Sequence, residues 1–167
     1  MIVLGIDPGT ASTGYAVVQR RSGRLAALDG GTITTRPEAA PERRLATIHA
    51  RILDLIDEHE PEAMALEDVY FGQNVRSAFA VGQARGAVML AAGLRSVPCA
   101  SYTPQQVKGA VCGHGRASKD QVSNMVQALL CLPGAPETDH AADALAVAIC
   151  HANRAPLSAA LAAAGQA

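Results

Sequence analysis

The chain opens on an apolar run from Ile2 to Ile6 that stops at Asp7-Pro8-Gly9-Thr10. An unbroken apolar run rich in β-branched residues and closed by turn formers predicts a buried strand. Gly14 to Val18 repeats the pattern, Arg20 to Arg24 is a polar turn, and Leu25 to Thr35 gives a third strand, so the opening predicts an antiparallel meander. The period then changes. Leu45, Ile48, Ile52, Leu55 and Ile56 recur at helical spacing between Pro41 and Glu60, and Pro61 ends the helix. Ala63 to Val69 predicts a further strand, Val75 to Ala92 a long helix of small residues, and Val97 to Tyr102 a short strand. Thr103 followed by Pro104 is a good helix start, and that helix should end near Gly113-His114-Gly115. Ser118 caps another helix through Leu130, stopped by Pro133-Gly134, and Thr138 opens a last one to about Asn153. Strands first, then strands alternating with helices, predict the α/β class, a mixed five-stranded sheet flanked by helices.

Composition narrows this picture further. At 167 residues the chain has the length of one domain, expected over 1–153, with 154–167 a loosely held tail. Hydrophobic residues make up 49% but aromatics only 3%, with no Trp, so the core must be built from Ala, Val, Leu and Ile. The longest apolar stretches, such as Ala87 to Ala92, are too short to cross a bilayer, and no basic segment leads into an apolar run at the N-terminus. A soluble, cytoplasmic protein is expected. Cys99, Cys112, Cys131 and Cys150 show no metal-knuckle or redox spacing and read as reduced, mostly buried thiols. A net charge of -1 gives no overall pull on a polyanion, so nucleic-acid binding would have to come from local basic clusters.

The candidate chemistry lies in carboxylates. Asp7 and Glu67 each stand at the end of an apolar strand, where a charge needs a partner or a cation. Asp68 must point to the opposite face from Glu67, because strand side chains alternate. Each acid alone has an ordinary explanation, pairing with an arginine or capping a helix. The third element shifts the balance: in Asp139-His140-Ala141-Ala142-Asp143, His140 and Asp143 project from one face of a helix that is otherwise apolar. Asp139, near the helix N-terminus, suits the macrodipole or a cap, with a direct metal role as the alternative. Two strand-end acids with a helical His-x-x-Asp supply mostly hard oxygen ligands, suited to Mg²⁺ or Mn²⁺. Two such ions about 3.5 to 4 Å apart serve in-line phosphodiester displacement, leaving 5′-phosphate and 3′-hydroxyl ends.

Gly5-Ile6-Asp7-Pro8-Gly9-Thr10, Leu66-Glu67, Gly82-Gln83-Ala84-Arg85-Gly86, Gln106-Val107-Lys108 and His140-Ala141-Ala142-Asp143-Ala144-Leu145-Ala146 resemble the RuvC family in order and spacing over about residues 1 to 153. The resemblance implies a ribonuclease-H-like fold, a homodimer, and an endonuclease that resolves four-way DNA (Holliday) junctions by paired symmetric nicks, in recombination and repair. It maps four metal-site residues onto Asp7, Glu67, His140 and Asp143. Some members carry Asp at the position of His140, which leaves two roles for this residue, nitrogen ligand or general base. RuvA and RuvB are implied as partners.

Tyr70 and Phe71 follow closely on Glu67, and Tyr70 falls where the family carries an aromatic thought to stack on a base at the junction centre. Asn74, Arg76, Lys108, Arg116 and Lys119 complete the expected DNA-binding set, the basic members by neutralising phosphates. In the helix from Val75, Ala78, Gly82 and Gly86 form a smooth stripe that either a neighbouring helix or a second copy of the chain would fill. Three other readings stay open: a YqgF-type nuclease, an actin-like nucleotide-binding protein, which shares Gly-Ile-Asp-x-Gly-Thr but needs two domains, and a non-catalytic junction-binding module.

Overall fold

The computed structural model describes residues 1–68 and 75–164, with the side chains of 75–77 and 156–164 set aside. Its sheet comprises β1 (Ile2–Asp7), β2 (Ser12–Arg21), β3 (Arg24–Thr34), β4 (Ala63–Glu67) and β5 (Cys99–Tyr102). The strand order is β3-β2-β1-β4-β5. The β1–β2 and β2–β3 pairs are antiparallel, whereas β1–β4 and β4–β5 are parallel. This is the mixed five-stranded sheet the pattern predicts. The polar turn shrinks to Ser22-Gly23, both at positive φ (52° and 80°), the two-residue loop that matches strand twist.

Among the described residues the helices are α1 (Pro41–His59), α2 (Val75–Leu94), α3 (Pro104–Cys112), α4 (Lys119–Leu130) and α5 (Asp139–Ala164). Two apolar cores occupy the two faces of the sheet. On one, Leu4, Ile6, Met64 and Leu66 meet Ile48, Ile52, Leu55 and Val88 of α1 and α2. On the other, Val3, Ala16, Val18 and Ala65 meet Val107, Val126, Leu145 and Ile149 of α3, α4 and α5. Thr103 and Ser118 each form a complete capping box, with Gln106 and Gln121 answering three residues on.

Two expectations are corrected. The last helix runs past Asn153 to Ala164, because the Ala- and Leu-rich sequence that follows favours helix strongly enough to outlast Pro156. All four cysteines are free, but only Cys150 is buried, while Cys99 and Cys131 are exposed. The core, which Cys150 alone of the four joins, is filled mainly by Ala, Val, Leu and Ile. No described helix is long and apolar enough to cross a membrane.

Candidate active site

Strand alternation brings the two strand-end acids together. Leu4 and Ile6 of β1 face α1 and α2, so Gly5 and Asp7 turn toward α5; Met64 and Leu66 do the same in β4, so Ala65 and Glu67 turn toward α5. The parallel register pairs Ile6 with Leu66, so Asp7 and Glu67 end adjacent strands on one face. Asp68 falls on the other face and pairs with Arg85 of α2 at 3.2 Å.

The helical pair reaches this point because α5 lies unusually close to the sheet. A Cβ on Gly5 would strike the Ala144 carbonyl and come within 2.7 Å of Ala148 Cβ, and a Cβ on Gly14, which pairs with Asp7 across β1–β2, would strike the backbone of His140. The alanines of Ala141-Ala142 and Ala144 permit the approach from the helix side, all of them buried. Thr138 caps the helix, accepting from the Ala141 amide at 3.1 Å. Asp139 therefore does not cap, and instead takes a 3.0 Å bond from Lys119 Nζ.

The outcome is a compact set of charges. His140 Nδ1 lies 2.7 Å from Asp7 Oδ2, and Lys119 Nζ lies 3.7 Å from Asp143 Oδ2. Burial, and then the charges of Asp7 and Asp143, push the Glu67 carboxyl up to about 7. Burial also raises Asp143, with Asp7 and Asp139 acting in the same direction against Lys119. The bond that Lys119 donates to Asp139, with the charges of Asp143 and Asp7 behind it, strengthens its hold on its proton. Glu67, Asp143, Lys108 and Lys119 line one cleft, walled by Val107 and Val122. Among the described residues no three His, Cys, Asp or Glu side chains are gathered tightly enough to ligate one ion as they stand. The acids nonetheless repel one another across a partly buried space, which is the condition a divalent cation relieves.

Of the predicted DNA-binding residues, Lys108 and Lys119 sit in this cleft. Arg116 is exposed in the connection between α3 and α4 and does not line it. Tyr70, Phe71 and Asn74 lie outside the described residues, as does the side chain of Arg76. Another groove, between β3 and residues 132–137, holds none of the predicted site residues. The part of the site not read from the sequence is Gly14, whose missing side chain lets His140 close on Asp7; its only signal was a glycine opening an apolar strand.

Comparison with known proteins agrees with the geometry. The family model for crossover junction endodeoxyribonuclease RuvC matches residues 3–151. The RuvC of Moorella thermoacetica is 54% identical over 156 residues, 93% of each chain. The Thermus thermophilus RuvC structure superposes with a TM-score of 0.88 at 40% identity, covering 95% of this chain and 97% of that one. The same Thermus protein in complex with a Holliday junction substrate superposes at 0.91 with 41% identity, covering 95% and 96%. Likeness of this extent, in sequence and in fold alike, places the chain in the RuvC family of crossover junction endodeoxyribonucleases.

Proposed function

We propose that this protein cuts Holliday junctions in paired, symmetric, metal-dependent nicks, with Asp7, Glu67, His140 and Asp143 as its catalytic residues. The observation that carries the reading is the convergence of these four side chains from β1, β4 and α5, with Glu67 held near 7 by burial and by its acidic neighbours. They are the residues that would hold Mg²⁺ or Mn²⁺; the donor set is three carboxylates and one imidazole, hard enough for either ion. Such ions, when bound, lower the pKa of an attacking water and offset charge on the leaving 3′ oxygen. Asp7 orients the His140 ring through Nδ1. Lys108 and Lys119 meet the phosphate beside Glu67 and Asp143, and Tyr70, Phe71, Asn74, Arg76 and Arg116 extend the contact to DNA.

Symmetric cutting needs two active sites, and α2 supports a two-fold dimer. Its Ala84, Val88 and Ala91 are buried inside the chain, whereas Phe79, Leu90 and Leu94 are exposed and a Cβ on Gly82 or Gly86 meets nothing within 4 Å. RuvA and RuvB are the protein partners that family kinship suggests. The YqgF-type and actin-like alternatives are not favoured by a match that spans residues 3–151.

The test is cleavage of an end-labelled four-way junction beside a linear duplex of the same sequence, by wild type and Asp7→Asn, with Mg²⁺ or Mn²⁺. Paired nicks in the junction alone, lost in the variant, are the expected result. Equal cutting of both substrates would make it a general nuclease, and tight binding without cutting a junction-binding module.

A further inference from the structure

Where β4 ends, its backbone runs short of partners. Asp68 N–H still donates to Tyr102 O at 2.8 Å, but β1 stops at Asp7 and the next residue, Pro8, has no N–H to give. Arg85, in the middle of α2, fills the gap from the face opposite the Glu67 carboxylate. Its Nη1 donates to the Glu67 carbonyl at 3.0 Å, and its Nη2 donates to Asp68 Oδ1 at 3.2 Å and to Ser101 Oγ of β5. The guanidinium is largely covered, with its side chain 21% exposed, and Asp68 is the one carboxylate it meets among the described ion pairs.

From this we infer that Arg85 is a positioning residue for Glu67. A planar fork with donors on two nitrogens ties the residue that bears the carboxylate, the residue after it and the neighbouring strand to a single helix. It cannot touch substrate from that face, because strand alternation sends the Glu67 side chain the other way. Its effect is on where the Glu67 Cα sits. A misplacement of about 1 Å at a reacting group costs on the order of 100-fold in rate. A lysine delivers one point charge and cannot replace the fork. The same helix carries the exposed face assigned to the dimer, so Arg85 also joins that face mechanically to one catalytic carboxylate. The inference rests on the nuclease reading above.

Arg85→Met, Arg85→Lys and Ser101→Ala are compared with wild type by single-turnover junction cleavage at saturating enzyme, junction Kd without divalent ion, and amide hydrogen exchange of the peptides covering β4 and β5. Both Arg85 variants should cut about 10- to 100-fold more slowly with Kd within about twofold, Ser101→Ala should lose less, and exchange should quicken at Glu67 and Asp68. Guanidinium added to Arg85→Ala should restore part of the rate. Wild-type cleavage rates in the Arg85 variants, or a loss confined to Kd, would overturn the assignment, as would unchanged exchange at Glu67 and Asp68. A wild type that never cuts junctions would overturn the nuclease reading instead, and hydrogen exchange would still decide whether Arg85 holds β4.

Discussion

Gly14→Ala isolates the closeness of α5 to the sheet from every other feature of the site. Gly14 is not at positive φ, so alanine meets no backbone strain there and in a tolerant strand would stabilise by about 0.5–1 kcal/mol. The added methyl instead falls against the His140 carbonyl oxygen and carbon, far inside the 3.0 Å that real Cβ atoms observe, with the His140 Cα at 3.1 Å. These are backbone atoms of a capped helix and cannot rotate away. The N-terminal turn of α5 must back off by on the order of 1 Å, which at a reacting group costs about 100-fold in rate. Overpacking of this kind also costs about 1–3 kcal/mol of stability. The assay is single-turnover junction cleavage with thermal melting beside it. Gly30→Ala is the control, since its Cβ would meet neighbours only at 3.6 Å and beyond. The variant should fold, bind junction and cut poorly, while the control behaves as wild type. Wild-type cleavage by Gly14→Ala with an unchanged melting temperature would refute the claim that this contact sets the position of His140.

Other expectations follow from the electrostatics. Glu67 has a raised carboxyl in the folded chain, about 7 against 4.5, so in metal-free buffer its contribution is fully present below pH 4.5 and is lost as pH rises through 7. Glu67→Gln should therefore melt higher than wild type at pH 8 and show no such gap at pH 4.5; equal melting at both pH values would count against the buried, repelled carboxylate. Mg²⁺ or Mn²⁺ should raise the wild-type melting temperature at pH 8 and do so much less in Asp143→Asn, a readout independent of cleavage. Lys119→Ala should weaken junction binding and reduce the salt slope by about one unit, while its exposed ion pair with Asp139 contributes little to stability. Tyr102→Phe leaves His151 Nδ1 without the 2.9 Å bond it now has, at a cost of about 1–3 kcal/mol by thermal melting.

The pattern of apolar and polar residues by itself located the strands and helices, though not the end of α5, and the caps were legible because Thr103, Ser118 and Thr138 act through bonds to residues three positions away. It also determined that only one of Glu67 and Asp68 could share a face with Asp7, because side-chain direction in a strand has a period of two. Local periodicity does not say which strands become neighbours. The parallel pairing of β1 with β4 decided that the two acids end side by side, and the bare backbones of Gly5 and Gly14 decided how close α5 could come. The glycine contacts join residues more than a hundred positions apart. Their chemistry is the absence of a side chain, which leaves no polar or periodic mark along the chain. The shift at Glu67 was decided in the same way, because burial and the fields of Asp7 and Asp143 exist only once three separate segments meet.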